Sequence, residues 1–435
     1  MKQLLKQIVT YILTYEARLV LAKYKPYIIA ITGSVGKTST KDAVYTVLSR
    51  YFFVRRSKKS FNSEIGVPLT ILHSDTAWTN IFGWFRVFVK GAGLIILKNH
   101  YPKILILETG VDRPGDMKRL LRLVSPDMVL VTKFSEIPPH VEFFPSKKAL
   151  FDEKWMLAQH VKKEGSLVIN GDDQALSQYI SNVGGEKRIY TYGFSSTNDI
   201  VASHDHVVYT ELNGMTVPDG ISVKVDYKGN SVPLKISGTI GRGMIYAALA
   251  AFAAGIEKDI NLVDIIEALR KFTAPPGRLT LLEGIKSSII IDDTYNASPE
   301  AMKLALSLLH DIEPRAKKIA VLGDMLELGK YTLEAHHEVG VMMPPSITHL
   351  YLVGKRAAHI AESIPKGTIN EKNVLFFDDA VSCGKHLQNI IREGDIILVK
   401  GSQGVRLERV VEEIMAHPEK KKELLVRQDE EWTKR

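Results

Sequence analysis

The chain has a single cysteine, Cys383, among 435 residues. One thiol excludes an internal disulfide framework and any cysteine-based metal cluster, and it fits a reducing cytoplasm. Long apolar runs are missing too. Residues 7–15 carry no charge, but Glu16 and Arg18 end that stretch before it could span a bilayer. No small-residue cleavage site follows it, so a secretory leader is not expected. No repeat of 20–50 residues and no low-complexity tract is present, which excludes solenoids and propellers. There is no long basic arm and no nucleic-acid-binding signature. The net charge of +8 therefore points to small polyanions such as nucleotides, not to nucleic acid. What remains is 45% hydrophobic and 24% charged, an ordinary globular composition. The length calls for two or three domains.

Another absence narrows the most informative stretch. Residues 28–40 read Ile28-Ile-Ala-Ile-Thr-Gly-Ser-Val-Gly-Lys-Thr-Ser-Thr40. A short β-branched run, a glycine loop, Lys-Thr and a helix-compatible segment follow one another, as a phosphate-binding loop requires. The general pattern wants a glycine five residues before Gly36, where Ile31 stands; the glycine is Gly33 instead. Backbone N–H groups of Gly33, Ser34, Val35, Gly36 and Ser39 are expected around the phosphates of a nucleotide, backed by a helix N-terminus. Lys37 is expected to reach the terminal phosphates and Thr38 to ligate Mg²⁺.

The rest of the chain alternates strand-like and helix-like segments. Leu5, Ile8, Ile12, Tyr15, Leu19 and Ala22 recur at helical spacing, so residues 1–25 read as an amphipathic helix packed on the ATPase domain, with peripheral membrane contact the less favoured alternative. The basic run 55–59 reads as a solvated strand end or a contact to substrate phosphates. Residues 78–97 (Trp78, Phe82, Trp84, Phe85, Phe88, Leu94 and Ile95 among them) are expected to form a buried helix, with a membrane or partner face as the alternative. Ile104–Glu108 and 127–132 read as buried strands, and the first ends in an acid where open parallel sheets bind ligands. Glu108 is thus placed to share Mg²⁺ with Thr38. Ser146 is the expected N-cap of a helix through Lys154 to about Lys163. Residues 199–236 alternate as short antiparallel strands. The break at Ala274-Pro-Pro-Gly-Arg278 is the expected linker. Four further strand-like runs then alternate with helices. The expected fold is α/β: a P-loop central ATPase domain with a parallel sheet over 26–274, and a Rossmann-like α/β C-terminal domain over 275–435.

Taken together, these segments resemble the Mur ligase family, in its MurF-type branch, from about residue 28 onward. The resemblance rests on residues 33–41, 62–70 (Asn62-Ser-Glu-Ile-Gly-Val-Pro-Leu-Thr70), 108–110, 140–146, 292–302, 322–329 and 399–408, in that order. It implies a cytoplasmic ATP-dependent ligase that adds D-alanyl-D-alanine to a UDP-MurNAc-peptide through an acyl phosphate. It also implies a second Mg²⁺ held by His140 and a carbamylated Lys154. Arg278 would meet ATP phosphates, and Asp292 or Asp293 the ribose. Asn62 would lie on the substrate side, with Tyr295, Asn296, Lys400 and Ser402 where the amine substrate sits. Lys37, Lys154, His140 and Arg278 form the expected catalytic set. A Mur-type ligase with another amino acid or acceptor, and a non-catalytic ATP-binding partner protein, are the competing readings.

Two departures carry expectations. About 27 residues precede the P-loop strand, fewer than a domain needs. Recognition of the uridine end is therefore expected to fall to the central domain, to a partner, or to a lipid-linked form at a membrane. Gly243, Met244 and Ala247 stand where the resemblance leads one to expect a histidine and two asparagines, so weaker selection of adenine is expected. The two extra residues Ile137 and Pro138 are a smaller departure, expected to shift the second metal site.

Overall fold

The computed structural model describes residues 2–57, 61–77, 80–135, 137–138, 140–180, 183, 187–212, 214–313, 317–429 and 432. Lys58, Lys59, Trp78 and Pro139, which entered the sequence reading, lie outside the described residues.

Strand β1 (Tyr27–Thr32) is uncharged and β-branched, and five of its six residues are buried. A strand of that composition belongs inside a parallel sheet covered on both faces. It pairs in parallel with β3 (Ile104–Glu108) on one side and β4 (Met128–Val131) on the other. β2 (Val54–Arg56) flanks β3, while β5 (Ser166–Asn170) and β6 (Arg188–Gly193) continue beyond β4. The order reverses at β1, so a crevice opens at the carboxyl ends of β1, β3 and β4. β7 (Ile200–Leu212), β8 (Met215–Tyr227) and β9 (Asn230–Ser237) extend the sheet. β7 is parallel to β6, and the last two strands add antiparallel. Strands of 13 residues replace the short ones expected here. Register shifts near Ser203–His206 and Val208–Tyr209 bend the β7–β8 ribbon.

Helices on both faces of the sheet set the near surroundings of β1. After the phosphate loop, α2 (Lys37–Leu48) packs on the alanine-rich helix Arg242–Glu257. Their approach is close, for a Cβ on Gly255 would stand 3.1 Å from Val47 Cγ1. On the other face, α1 (Lys2–Tyr24) lies against α3 (Gly66–Ile71) and α4 (Ile81–Ile96). The buried side of α1 is Val9, Leu13, Glu16, Ala17 and Val20, not the expected row. Ile8, Tyr15 and Ala22 are exposed. The apolar residues of α1 nearly encircle it, so spacing alone could not choose the inner arc. α4 is likewise half exposed, not buried throughout: Trp84, Val87 and Gly91 are buried, and Phe88, Leu94 and Ile95 pack partly against the core. Glu16 sits against Gly91 without a partner for Oε2, and burial pushes its carboxyl up to about 7. The helix carrying Lys154 spans Lys147–Gln159, ending before the expected Lys163; Ser146 caps it by accepting from Ala149 N at 3.1 Å.

The second sheet holds β10 (Thr280–Glu283), β11 (Ile289–Asp293), β12 (Lys318–Gly323), β13 (His349–Val353), β14 (Val374–Phe377) and β15 (Ile396–Lys400). Its order is β10-β11-β15-β12-β13-β14, parallel except for β10. Several contacts tie the two sheets together. Thr239 and Thr280 form a β-bridge, and Lys133 pairs with Glu300 at 2.5 Å. None of the described helices is long and apolar enough to cross a membrane.

Candidate active site

The loop after β1 is shaped by glycine where it must be. Gly33 has φ +143°, and a Cβ there would fall 2.0 Å from Thr132 Oγ1. Gly36 has φ +86° and precedes α2. The Lys37 amine folds back to donate to Gly33 O at 2.9 Å. Burial lowers its pKa, Glu108 opposes the shift and Arg278 adds to it. Thr38 Oγ1 lies 3.1 Å from both oxygens of Glu108, so the two predicted Mg²⁺ ligands are brought together. An oxygen-only pair beside a phosphate loop fits a hard divalent cation.

Lys41, one helical turn beyond Lys37, was missed by sequence reasoning. It is 1% exposed, and its amine lies 3.6 Å from Glu108 Oε2. The i, i+4 spacing from Lys37 is the signal that could have found it.

Lys154 is buried beneath the loop and donates to Ser34 Oγ at 3.0 Å. Its pKa falls well below the ordinary range, chiefly through burial and then through repulsion by Lys37. His140, held at φ +68°, points elsewhere. Its Nδ1 lies 2.7 Å from Glu327 Oε2 of the C-terminal domain, and its Nε2 3.6 Å from Asp112 Oδ1. Among the described residues no hydrogen bond or ion pair joins His140 to Lys154. Asp112 and Glu327 were not singled out from sequence, although each lies in or beside a quoted motif. The His140 hydrogen bond lowers the pKa of Glu327.

Arg278 crosses from the linker to the phosphate loop. One Nη donates to Thr38 Oγ1 at 3.0 Å, and the guanidinium stacks 4.0 Å from the Tyr295 ring centroid. Its Nε is buried without a partner. On the C-terminal side, Lys400 is buried between Asp293 (2.7 Å) and Asn296 O (2.9 Å). Ser402 Oγ accepts from Leu326 N at 2.9 Å. Asp292 is different. It is fully buried, bonded to Thr294, and pushed up to about 7 by burial. Of the adjacent acids it is Asp293 that lines the cavity.

One cavity of about 1120 Å³ joins these groups. Ser34–Lys37, Ser39, Asn62, Glu108, His140 and Arg278 line its central-domain wall; Asp293, Tyr295, Asn296, Lys400 and Ser402 line the opposite one. Gly33, Thr38 and Lys154 sit behind this surface. The β7–β8 ribbon contributes Asp205–Val207 and Tyr209, a wall with no motif to announce it. Gly241–Met244 also line the cavity, whereas Ala247 is packed in its helix. Arg242 is anchored there by a two-point pair with Asp205, at 2.8 and 3.1 Å. The arrangement can hold a polyphosphate, a hard cation and two further polar substrates in one cleft.

The Mur ligase middle domain matches residues 94–255, and the Mur ligase glutamate ligase domain matches residues 277–403. The chain belongs to the Mur ligase family. Its relatives include UDP-N-acetylmuramoyl-tripeptide–D-alanyl-D-alanine ligase of Bacillus subtilis, 29% identical over 90% of this chain and 76% of that one. The enzyme of the same description from Rickettsia prowazekii is 28% identical over 92% of this chain and 81% of its own. Among solved structures, MurF ligase from Thermotoga maritima in complex with ADP superposes with a TM-score of 0.74 and 26% identity. The match covers 93% of this chain and 83% of that structure. Both sheets of this Mur ligase therefore fall within the matched fold.

Proposed function

We propose that this chain is an ATP-dependent peptide ligase of peptidoglycan precursor synthesis, joining D-alanyl-D-alanine to the terminal carboxylate of a UDP-MurNAc-tripeptide. The relatives above carry that activity in their names. The observation that carries the reading is the shared cavity, in which a phosphate loop faces Lys400, Asn296 and Tyr295 across the Arg278 bridge.

A carboxylate is a poor electrophile, so the acceptor is first phosphorylated by ATP. Amide formation then follows as the free amine of D-alanyl-D-alanine attacks the acyl phosphate carbonyl and phosphate leaves. The protein's part is positioning and charge stabilisation. Lys37 gives up Gly33 O for the terminal phosphate, whose negative charge favours the ammonium form that burial disfavours. Arg278 holds the phosphate side against the C-terminal domain. Thr38 and Glu108 would hold Mg²⁺, which offsets phosphate charge when bound. Burial and the Lys37 charge lower the Lys154 pKa and so favour its neutral amine, the form that takes up carbon dioxide, which supports the carbamate reading. His140 would join a second Mg²⁺ site after leaving Glu327. Closure about the linker at 274–278 excludes water that would hydrolyse the acyl phosphate. ATP as co-substrate assigns the reaction to the cytoplasm.

The test supplies ATP, Mg²⁺, UDP-MurNAc-tripeptide and D-alanyl-D-alanine, and follows phosphate release and product mass. Ligation that Lys37→Ala abolishes is the expected result. Release only with another amine or acceptor moves the substrate assignment, and none with any acceptor overturns the proposal.

A further inference from the structure

We propose that α4 is a membrane-docking helix whose exposed apolar stripe seats on an anionic bilayer surface. Phe82, Phe85, Val89 and Ile96 recur at i, i+3, i+7 and i+14, one side of a helix. They are 84%, 66%, 54% and 78% exposed, and Ile81 and Leu97 extend the patch at either end. The opposite side is anchored through Trp84, Val87 and Gly91, so the stripe is displayed by a fixed helix. Lys23 of α1 pins the end of α4 by donating to the carbonyls of Leu94 and Ile95, each at 2.9 Å. Contiguous apolar surface of this kind marks an interaction site.

Charge selects the occupant. No acid occurs between Asp75 and Glu108, whereas Arg86, Lys90, Lys98 and Lys103 do, all exposed. Aromatic side chains flanked by cations match the headgroup boundary of an anionic bilayer, where the rings enter and the cations meet phosphate. A second copy of the chain fits less well. Apposing two such stripes would bring like charges together with no acid between them. α4 does not line the catalytic cavity. The helix is not long and apolar enough to span, so the attachment is peripheral.

Flotation of the full chain with vesicles tests this. The vesicles hold equal parts phosphatidylglycerol and phosphatidylcholine, or phosphatidylcholine alone. Binding to the anionic vesicles is expected to be at least about tenfold tighter and to weaken with salt. Phe82→Ser with Phe85→Ser, and separately Arg86→Glu with Lys98→Glu, are each expected to weaken it at least about tenfold. Thermal unfolding, and ATP-dependent ligation in solution, should stay near wild type. Absence of binding at low salt, or binding that neither double variant weakens, overturns the proposal. So does a dimer seen by light scattering that the Phe82/Phe85 variant disperses, which would make a second copy the occupant.

Discussion

Replacing Arg278 by lysine keeps the charge and removes the geometry. The guanidinium does two things that an ammonium cannot do at once. It donates to Thr38 Oγ1 at 3.0 Å and sits over the Tyr295 ring, 4.0 Å from its centroid. A hydrogen bond of this kind contributes about 1 kcal/mol, and a partly desolvated cation–π stack about 1 kcal/mol more. Their joint loss predicts a fall in kcat/KM of roughly thirtyfold, since about 1.4 kcal/mol is tenfold. Arg278→Ala, which removes the charge as well, should fall further. The assay is coupled phosphate release at saturating acceptor and amine, with ATP varied. A double-mutant cycle with Tyr295→Leu separates the stack from the rest. The pair should be non-additive by about 1 kcal/mol, because either change alone already breaks the stack. Activity of Arg278→Lys within threefold of wild type, or strict additivity with Tyr295→Leu, would refute the bridging role.

Glu108→Gln should raise the Mg²⁺ concentration for half-maximal activity at least about tenfold, because a neutral amide replaces the carboxylate that faces Thr38; an unchanged Mg²⁺ titration counts against the site. Gly33→Ala combines a forbidden φ with a clash on Thr132, so nucleotide binding by calorimetry should be lost while thermal unfolding shifts only modestly. Glu16 gives a pH signature. Its folded pKa of about 7 lies above the unfolded value near 4.5, so the folded state binds the extra proton and stability declines as pH rises from about 4.5 through 7. Glu16→Gln should therefore be more stable than wild type at pH 8, by roughly 1–2 kcal/mol after solvent screening, and match it at pH 4 in thermal unfolding; equal behaviour at both values would falsify this. Lys154→Ala should lose ligation and regain part of it with added short carboxylates, and full activity without them would rule the carbamate out. Turnover with GTP comparable to that with ATP is expected from Gly243 and Met244, and strict use of ATP would remove that reading.

Local chemistry by itself determined much of this protein. The short, β-branched, uncharged run before Gly33, ended by a glycine loop, pointed to a buried strand, and the structure has one there. Gly33 and Gly36 had to be glycine, given the positive φ each adopts. The strand–loop–helix order therefore announced a phosphate site, and the acid ending β3 announced its cation partner. Periodicity could not say which arc of α1 or α4 turns inward, since both helices are apolar over most of their circumference; packing against the sheet decided that. Nor could spacing distinguish Asp292 from Asp293, neighbours on one strand that point to opposite faces. The pleat sends one into the core and the other into the cavity. Groups far apart in sequence were also out of reach: Glu327 on His140, Asp205 on Arg242, and Arg278 reaching across 240 positions to Thr38. The first and third of these pairings cross between the two domains and the second joins a strand to a helix of the central domain, so each depends on tertiary packing that no local pattern encodes.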